Sequence, residues 1–515
     1  MKTIYALLLI SACGFSQAST AVMTDRAAAR FLDQATWGPT PASIAALEQM
    51  GIANWLNAQY TAKPSDLPDQ PILDSAGKSN NNLTPVQAAF FLNTVTGADQ
   101  LRQRVAFALS QIWVVSQVSV HPAYAFPPYW RIFRDNAFGN YRDIIKAVSL
   151  SPAMGTYLNM ANNNKANAAK GTAANENYAR ELMQLFTLGL TELNPDGSAV
   201  LDANHNPIPT YNQAAVTNLA KALTGWTYPT APNAAPKNNN PPYYFGQMFA
   251  VETEHDTTSK AIFNNVTIPA GQTAEQDLEN VLDALMADPT MAPFVSKQLI
   301  QHLVTSNPSA GYVQRVSQIF TNTKGDMKSV INAILTDMEA RAGDGPTASS
   351  AGNASYGHLR EPILFISNLA RGLNATIGSA NGLNNYAIQM GENLFNAPSV
   401  FSYFSPLNRI SGGLLGPEFQ IYSTQTAADR ADLVNTALYG ALDKTTKLDL
   451  SPFVAKAGNV NTLLQYIGSV FVHSGMSQSL AQAATDAANA AATPTAKAQA
   501  ALYIVLTSSE YQVVQ

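Results

Sequence analysis

Charged residues are scarce in this chain, and the scarcity limits what the protein can bind. Of 515 residues, 30 are basic and 35 are acidic, so charged residues make up 13% of the chain, against about 25% in an average soluble protein. The net charge of −5 provides no basic field of the kind that phosphate backbones require, so no nucleic acid partner is expected. Hydrophobic residues still form 46% of the chain, which excludes an intrinsically disordered protein.

The chain has a single cysteine and lacks the common catalytic motifs. Cys13 is the only cysteine, so disulfides, cysteine catalysis and cysteine-ligated metal centres are excluded for the rest of the chain. There is no Gly-x-Ser-x-Gly elbow, no His-Glu-x-x-His, no P-loop and no Rossmann fingerprint. Asp202-x-Asn204-x-Asn206 resembles half of a calcium loop, but Pro207 replaces the required glycine, which favours a polar hairpin. The sequence therefore assigns no metal site, and any cofactor is unknown.

The N-terminus has the pattern of a signal peptide covering residues 1–18. Lys2 supplies the positive start, residues 4–10 form an apolar core, and Ser16-Gln17-Ala18 places small residues at the cleavage site. The alternative is a lipoprotein signal ending before Cys13, which is disfavoured because the segment before the cysteine is short. No later apolar run reaches the roughly 18 residues that a transmembrane helix needs. We expect an exported protein of the periplasm, the outer surface or the medium, or alternatively one anchored by a lipid.

The spacing of apolar residues is helical along most of the chain. Apolar residues in the segment 101–113, for example, recur at i, i+4, i+7 and i+8, which predicts one buried helix face. Strand signals are few, and the best is a small β-hairpin near 193–211. We predict an all-α fold in which residues 24–513 form a single large multi-helix domain, with a candidate hinge between two lobes at 341–355.

Local signals predict several helix boundaries. Thr40-Pro41 is a good N-cap and first-turn pair for a helix that Gly51 interrupts. Gly189 is predicted to end the helix that contains Tyr178, and Gly225 occupies the position of a C-terminal cap.

Six blocks of sequence carry a family resemblance. They are residues 30–40 (RFLDQATWGPT), 101–112 (LRQRVAFALSQI), 175–189 (NENYARELMQLFTLG), 222–226 (ALTGW), 255–260 (HDTTSK) and 359–362 (LREP). In this order the blocks resemble the bacterial domain of unknown function 1800 family, over about residues 24 to 513. The central block is long and specific, so it contributes most to the assignment.

The resemblance implies an exported, largely helical protein. Members of this family are often encoded beside a partner of the domain of unknown function 1501 family, which makes such a protein a candidate partner here. The family carries no settled activity, so it supplies no catalytic residue. This chain departs from the family where many members have Pro-Pro-Asn-Val-x-Gly-Trp, because residues 397–406 read APSVFSYFSP.

The central block contains the strongest candidate site. Glu176 and Arg180 are i,i+4 neighbours on a helix, as are Asn177 and Glu181. One hypothesis makes Glu176 and Glu181 catalytic acid/base groups, with Arg180 orienting the substrate and Asn177 binding it. The alternative is a Glu–Arg network that locks helices together. In a chain so sparing of charge, three charges within six residues of an apolar helix favour a buried cluster over a solvated face.

His255, Asp256 and Lys260 form the second candidate group. An adjacent His-Asp pair can exchange protons, and a lysine can hold an anion, so these residues are candidates for binding substrate. The favoured alternative is a polar loop in which His255 bonds the backbone. A mixed oxygen and nitrogen metal site that includes Glu181 is the least favoured interpretation.

Two functional hypotheses follow. The first is an exported hydrolase acting on an extracellular or cell-envelope polymer such as a polysaccharide, and it requires the candidate residues to converge on one open cleft. The second is a non-catalytic envelope or secreted scaffold that works with a partner protein. The aromatic residues Phe401, Tyr403 and Phe404 are interpreted as a packed loop, in preference to a stacking wall for sugars.

Overall fold

A computed structural model describes residues 23–345, 356–378, 382–473 and 475–514. The predicted signal peptide at 1–18, including Cys13, lies outside the described residues, and so does most of the candidate hinge at 341–355. In the described part of the chain, no helix combines the length and the apolar character needed to cross a membrane.

Helices form most of the described chain, which confirms the mainly α-helical prediction. The first half contains α1 (Asp25–Ala35), α2 (Pro41–Thr61), α3 (Thr84–Thr96), α4 (Gln100–Ile112), α5 (Phe126–Asn136), α6 (Tyr141–Ser149), α7 (Pro152–Tyr157), α8 (Asn177–Glu181) and α9 (Gln213–Ala222). The remainder contains α10 (Ala274–Ala287), α11 (Met291–Leu303), α12 (Ala310–Asn322), α13 (Met327–Thr336), α14 (Met338–Arg341), α15 (Pro362–Gly372), α16 (Leu383–Gln389), α17 (Thr424–Tyr439), α18 (Ser451–Val454), α19 (Val460–Phe471), α20 (Gln478–Ala490), α21 (Pro494–Thr507) and α22 (Ser509–Gln512). A π-helix (Leu182–Thr187) follows α8 directly, and short 3-10 helices are Ala123–Ala125, Ala168–Lys170, Glu252–Glu254, Ser411–Gly413 and Pro417–Ile421.

Helix α2 shows how local sequence sets these boundaries. Thr40 and Ser43 form a reciprocal capping box, and Pro41 occupies the first turn, where its missing N–H costs nothing. Gly51 interrupts the helix with φ 74° and ψ 160°, a conformation that a residue with a side chain rarely adopts. Both boundary predictions for this helix are confirmed.

The strands are short and occur as three antiparallel pairs. They are β1 (Trp226–Thr227) with β2 (Phe249–Ala250), β3 (Lys260–Ala261) with β4 (Thr267–Ile268), and β5 (His358–Leu359) with β6 (Val513–Val514). Isolated antiparallel bridges within 191–209 form the predicted small β-structure near 193–211. In its second turn, the Asp202 carboxylate accepts hydrogen bonds from the amides of Asn204 and Asn206.

One contiguous apolar core contains buried side chains from Ala28 to Tyr511. Helix α15 is buried along its whole length. Several charged side chains are buried with it, including Asp33, Arg360 and Glu361, each no more than 5% exposed. Because burying a charge is costly unless it is paired or neutralised, the partners of these residues identify where the fold is most constrained.

Candidate functional site

Glu176 and Arg180 form an ion pair at the start of the predicted catalytic helix. Glu176 immediately precedes α8, and its Oε2 lies 3.1 Å from Nη2 of Arg180, one turn later. Thr217 and Gln213 of α9 donate hydrogen bonds of 2.7 and 2.8 Å to the same carboxylate. These hydrogen bonds, followed by the charge of Arg180, hold the pKa of Glu176 below its usual value. The two side chains of the pair are 30% and 38% exposed, so the expectation of a buried cluster is wrong for them.

Glu181 closes α8 in a different environment. The residue is half-buried, and its Oε2 is buried without a hydrogen-bond partner among the described residues. Burial raises the pKa of Glu181, and the charge of Arg180 offsets this only in part. The chain changes here from α-helix to π-helix, a transition that frequently occurs at functional sites. One helix therefore holds one ionised carboxylate and one carboxyl group that retains its proton more readily.

An open groove of about 700 Å³ lies close to this helix. Its walls come mainly from segments 209–218, 261–267 and 288–290. Tyr211 lines the groove, and its hydroxyl lies 3.4 Å from Oε1 of Gln184 in the π-helix. Burial raises the pKa of Tyr211, while Arg180 lowers it and Glu181 raises it by smaller amounts. Tyr211 therefore connects the groove with the π-helix that follows α8, although none of Glu176, Arg180 and Glu181 lines the groove.

Two members of the second predicted group, His255 and Lys260, are completely buried, whereas Asp256 is partly exposed. His255 Nε2 and Lys260 Nζ lie 3.1 and 2.7 Å from the same Oδ2 atom of Asp277 in α10, and all three side chains have 0% exposure. His255 Nδ1 lies 2.9 Å from the Thr224 carbonyl oxygen, and Lys260 donates a hydrogen bond to the Thr258 carbonyl oxygen. The group thus connects the loop after α9 and strand β3 to α10. Neither His255 nor Lys260 reaches the surface, so their contact with a substrate stays a prediction.

Gly225 allows the chain to pass close to His255. Helix α9 ends at Ala222 and its cap is Leu223, so the predicted C-cap at Gly225 is wrong. Gly225 has φ 87°, and a Cβ atom there would lie 2.9 Å from the Cβ atom of His255. The glycine at this position is explained by close packing and a left-handed backbone conformation. Helix termination does not explain it.

The predicted residues form two groups and do not share one cleft. Asn177 and Asp256 lie at the edges of these two groups. Asn177 donates a hydrogen bond to Asn159, and Asp256 accepts two from Thr258. Within the described ranges, no hydrogen bond or ion pair joins the α8 residues to the His255 group. In the same part of the chain, no group of three or more His, Cys, Asp or Glu side chains is arranged to hold a metal ion.

A buried ion-paired group lies around Asp33 of α1. Arg360 donates hydrogen bonds of 2.7 and 3.0 Å to its two carboxylate oxygens, and His473 Nε2 lies 2.9 Å away. Asn368 adds a hydrogen bond of 2.8 Å and itself accepts one from Tyr511. Burial alone would raise the pKa of Asp33, but Arg360 and His473 hold it well below its usual range. We call these five residues the Asp33 cluster.

A second buried group follows at the next residue of the chain. The carboxyl groups of Glu361 and Glu392 are close enough to share a hydrogen bond. Glu361 also accepts a hydrogen bond of 2.6 Å from Gln111, and Glu392 accepts one of 2.8 Å from the amide of Ile363. Burial raises the pKa of both glutamates, and that of Glu392 is raised further by the charge of Glu361. Two buried carboxyl groups in contact cannot both ionise readily, so the pair retains a proton.

Nearly the whole chain is similar to one known protein family. Residues 30–513 match the model of a family described as protein of unknown function, DUF1800. The chain belongs to the DUF1800 family. No curated protein and no solved structure matches this DUF1800 chain.

Sequence reasoning missed both buried groups in this DUF1800 protein. Their members occur in three of the blocks that carry the family resemblance: Asp33 in 30–40, Gln111 in 101–112, and Arg360 with Glu361 in 359–362. The polar residues of these blocks are the available signal for the two buried groups, but nothing within one block indicates which other block it contacts. In the structure, helices α1, α4 and α15 bring these blocks together in the core.

Proposed function

We propose that this protein is an exported hydrolase that cleaves a polymer outside the cell, such as a polysaccharide of the envelope. The observation that carries the proposal is the contrast between two carboxyl groups of one helix. Oε2 of Glu181 is buried without a hydrogen-bond partner among the described residues, which raises its pKa, whereas Glu176 accepts hydrogen bonds from Thr217, Gln213 and Arg180, which lower its pKa. Environments that separate the pKa values of two carboxyl groups in this way are typical of acid/base pairs. The groove beside Tyr211 has a volume within the range of ligand-binding sites.

In this proposal the two glutamates have different roles. Glu181 is the general acid that protonates the leaving oxygen, and Glu176 accepts the proton of the attacking water. Arg180, which contacts Glu176, orients a polar or anionic substrate. Asn177 and Asp256 contact the substrate at the edges of the site.

His255 and Lys260 support the groove indirectly in this proposal, because both side chains are buried. Lys260 precedes Ala261, which lines the groove, so its ion pair with Asp277 fixes one wall. Their proposed part in substrate binding is to hold strand β3 in position beside the groove.

The test compares wild-type protein with Glu181→Gln and Glu176→Gln on a panel of envelope polysaccharides, measuring released reducing ends. We expect each variant to lose activity by about 10²- to 10⁴-fold, which is the usual contribution of a general acid or base. Glu275→Gln, an exposed glutamate of α10, is the matched control and should retain full activity. Full activity in a folded Glu181→Gln protein would eliminate this assignment.

The pH profile separates the two roles. Activity should fall as the pH rises through the raised pKa of Glu181, because the acid loses its proton. It should also fall as the pH decreases through the lowered pKa of Glu176, because the base becomes protonated. Glu176→Gln should remove the acidic limb of the profile and leave the alkaline limb.

The alternative proposal is a non-catalytic scaffold that works with a partner, for which a protein of the domain of unknown function 1501 family is the candidate. It is favoured by the separation of the candidate residues into two groups, one of which connects secondary-structure elements without reaching the surface. Co-purification from the periplasm or medium tests it. A stoichiometric partner together with no hydrolysis of any polymer in the panel would favour the scaffold.

A further inference from the structure

A small cavity with a mostly apolar lining lies between α4, α11 and the loop around Phe401. It measures about 50 Å³, enough for the end group of a ligand. Gln111, His302 and Glu418 contribute its polar wall, and Phe401 and Phe404 contribute aromatic rings. Phe401 is 39% exposed.

Three buried polar atoms of residues at this cavity have no hydrogen-bond partner among the described residues: the acceptors Oε1 of Gln111 and Oε2 of Glu418, and the donor Nε2 of Gln298. Gln111 and Glu418 are only 6% and 5% exposed. Gln111 donates its amide nitrogen to Glu361, which fixes the orientation of the amide and leaves its oxygen free to accept. The second oxygen of Glu418 lies 3.5 Å from Nδ1 of His358. Buried acceptors without partners are costly, so this wall is suited to a ligand that donates hydrogen bonds.

The charges around the cavity favour a cation over a neutral donor. The described residues that line it include one carboxylate and no lysine or arginine. Burial and the nearby charge of Arg104 lower the pKa of His302 to about 3, so this side chain adds no positive charge at neutral pH. Aromatic rings are a recurrent element of sites that bind ammonium groups, and here they lie beside Oε2 of Glu418, the oxygen of this carboxyl group that has no partner among the described residues.

The loop that carries the aromatic side of the cavity has a strained backbone. Ser402 has φ 64°, which is uncommon for a residue other than glycine, and it lines the cavity next to Phe401. Ser399 and Ser402 form an antiparallel bridge across this tight turn. Non-glycine residues with this conformation cluster at ligand-binding sites, where surrounding contacts hold them. The loop at 397–406 is also the segment where the chain departs from the family pattern.

We propose that this cavity binds a primary ammonium group of a ligand, with Glu418 and Gln111 accepting its hydrogen bonds and Phe401 and Phe404 covering its alkyl chain. The site is independent of the proposed hydrolase, because none of the residues assigned to acid/base chemistry lines it. Leu185, which does line it, is a neighbour of Glu181 on the adjoining π-helix. The site would therefore lie close to the proposed catalytic helix without sharing its chemistry.

The test uses n-butylammonium chloride and the neutral analogue 1-butanol as probes of the full-length protein, in saturation-transfer NMR titrations. We expect butylammonium to bind at least about tenfold more tightly than 1-butanol, the effect of one charged hydrogen bond. Glu418→Gln should weaken butylammonium binding by a similar factor. Glu275→Gln, which removes an exposed carboxylate elsewhere, should leave it unchanged.

Phe401→Ala provides a second variant if Glu418→Gln does not fold, since removing a partly exposed ring leaves the core intact. It should weaken butylammonium binding several-fold. The proposal is overturned if butylammonium does not bind, if both probes bind equally, or if the variants bind it as the wild type does. Preferential binding of neutral sugars such as glucose over butylammonium would also overturn it and would identify a carbohydrate site.

Discussion

Two carboxylate–arginine pairs in this protein have the same chemistry and opposite surroundings. The side chains of Asp33 and Arg360 are 1% and 3% exposed, and two hydrogen bonds of 2.7 and 3.0 Å join them. The side chains of Glu176 and Arg180 are 30% and 38% exposed and are joined by one hydrogen bond of 3.1 Å. The first pair is removed from water and must remain paired, whereas water can solvate either member of the second. The two pairs consist of the same kinds of residue, so the difference in burial decides their roles. The buried pair constrains the fold, and the exposed pair can take part in chemistry.

The largest expected effect of a substitution is at the buried pair. Asp33→Asn leaves Arg360 buried without its counter-charge, so the free energy of unfolding should fall by about 3–5 kcal/mol at pH 7. Urea denaturation measures this loss. Asp432→Asn, an exposed aspartate of α17, is the matched control and should change stability by less than about 0.5 kcal/mol.

The pH dependence of that loss provides a separate check. The folded pKa of Asp33 is lowered, so the stability it contributes is complete above the unfolded pKa, about 3.9, and is lost as the pH falls toward the folded pKa. The difference between wild type and Asp33→Asn should therefore shrink as the pH is lowered from 5 toward 2, by at most about 1.4 kcal/mol per pH unit, the slope for one titrating group. A difference that stays the same over this range would mean that the cluster does not lower the pKa of Asp33.

The Glu361–Glu392 pair should show the opposite dependence on pH. Both folded pKa values are raised, so the stability linked to the shared proton is present at low pH and is lost as the pH rises through them. Glu392→Gln replaces the protonated carboxyl by a neutral amide. It should gain stability over the wild type by about 1.4 kcal/mol per pH unit above the unfolded pKa, about 4.3, for as long as the folded pair keeps its proton. Thermal unfolding from pH 4 upward measures the difference, and a difference that does not change just above the unfolded pKa would contradict a shared proton.

The smallest expected effect is at the exposed pair. Glu176→Gln should change the free energy of unfolding by less than about 1 kcal/mol, because exposed ion pairs contribute little. Chemical denaturation in parallel with Asp33→Asn makes the comparison direct. A loss as large as that of Asp33→Asn would mean that Glu176 is structural, and would weaken its proposed catalytic role.

The helices of this fold are predictable from sequence because their signals are local. The capping box at Thr40, the break at Gly51 and the helix end at Gly189 each depend on a few adjacent residues. The change to π-helix after Glu181 was not predicted, since the apolar spacing expected for an α-helix does not exclude one wider turn. The role of Gly225 was also missed, because it depends on a contact with His255, thirty residues away.

The candidate site was only partly predictable, for a related reason. The block around Glu176 is recognisable as a candidate site because its charged residues are close together in the sequence. Closeness in the sequence does not determine whether those residues are buried. Asp33 and Arg360 are 327 positions apart, and His473 is 440 positions from Asp33, so no local pattern connects them. Long-range pairing of this kind follows from the packing of α1 and α15, which a single sequence does not specify.

The pairing of β5 with β6 has a consequence for the order of folding. It brings residues 513 and 514 against residues 358 and 359, beside Tyr511 and Arg360 of the Asp33 cluster. A chain made from its N-terminus must therefore reach residue 514 before Arg360 is enclosed. Contacts that close such long loops form slowly, so the core of a nascent chain stays incomplete during most of its synthesis. The Asp33 cluster is therefore among the last parts of the fold that can close during synthesis.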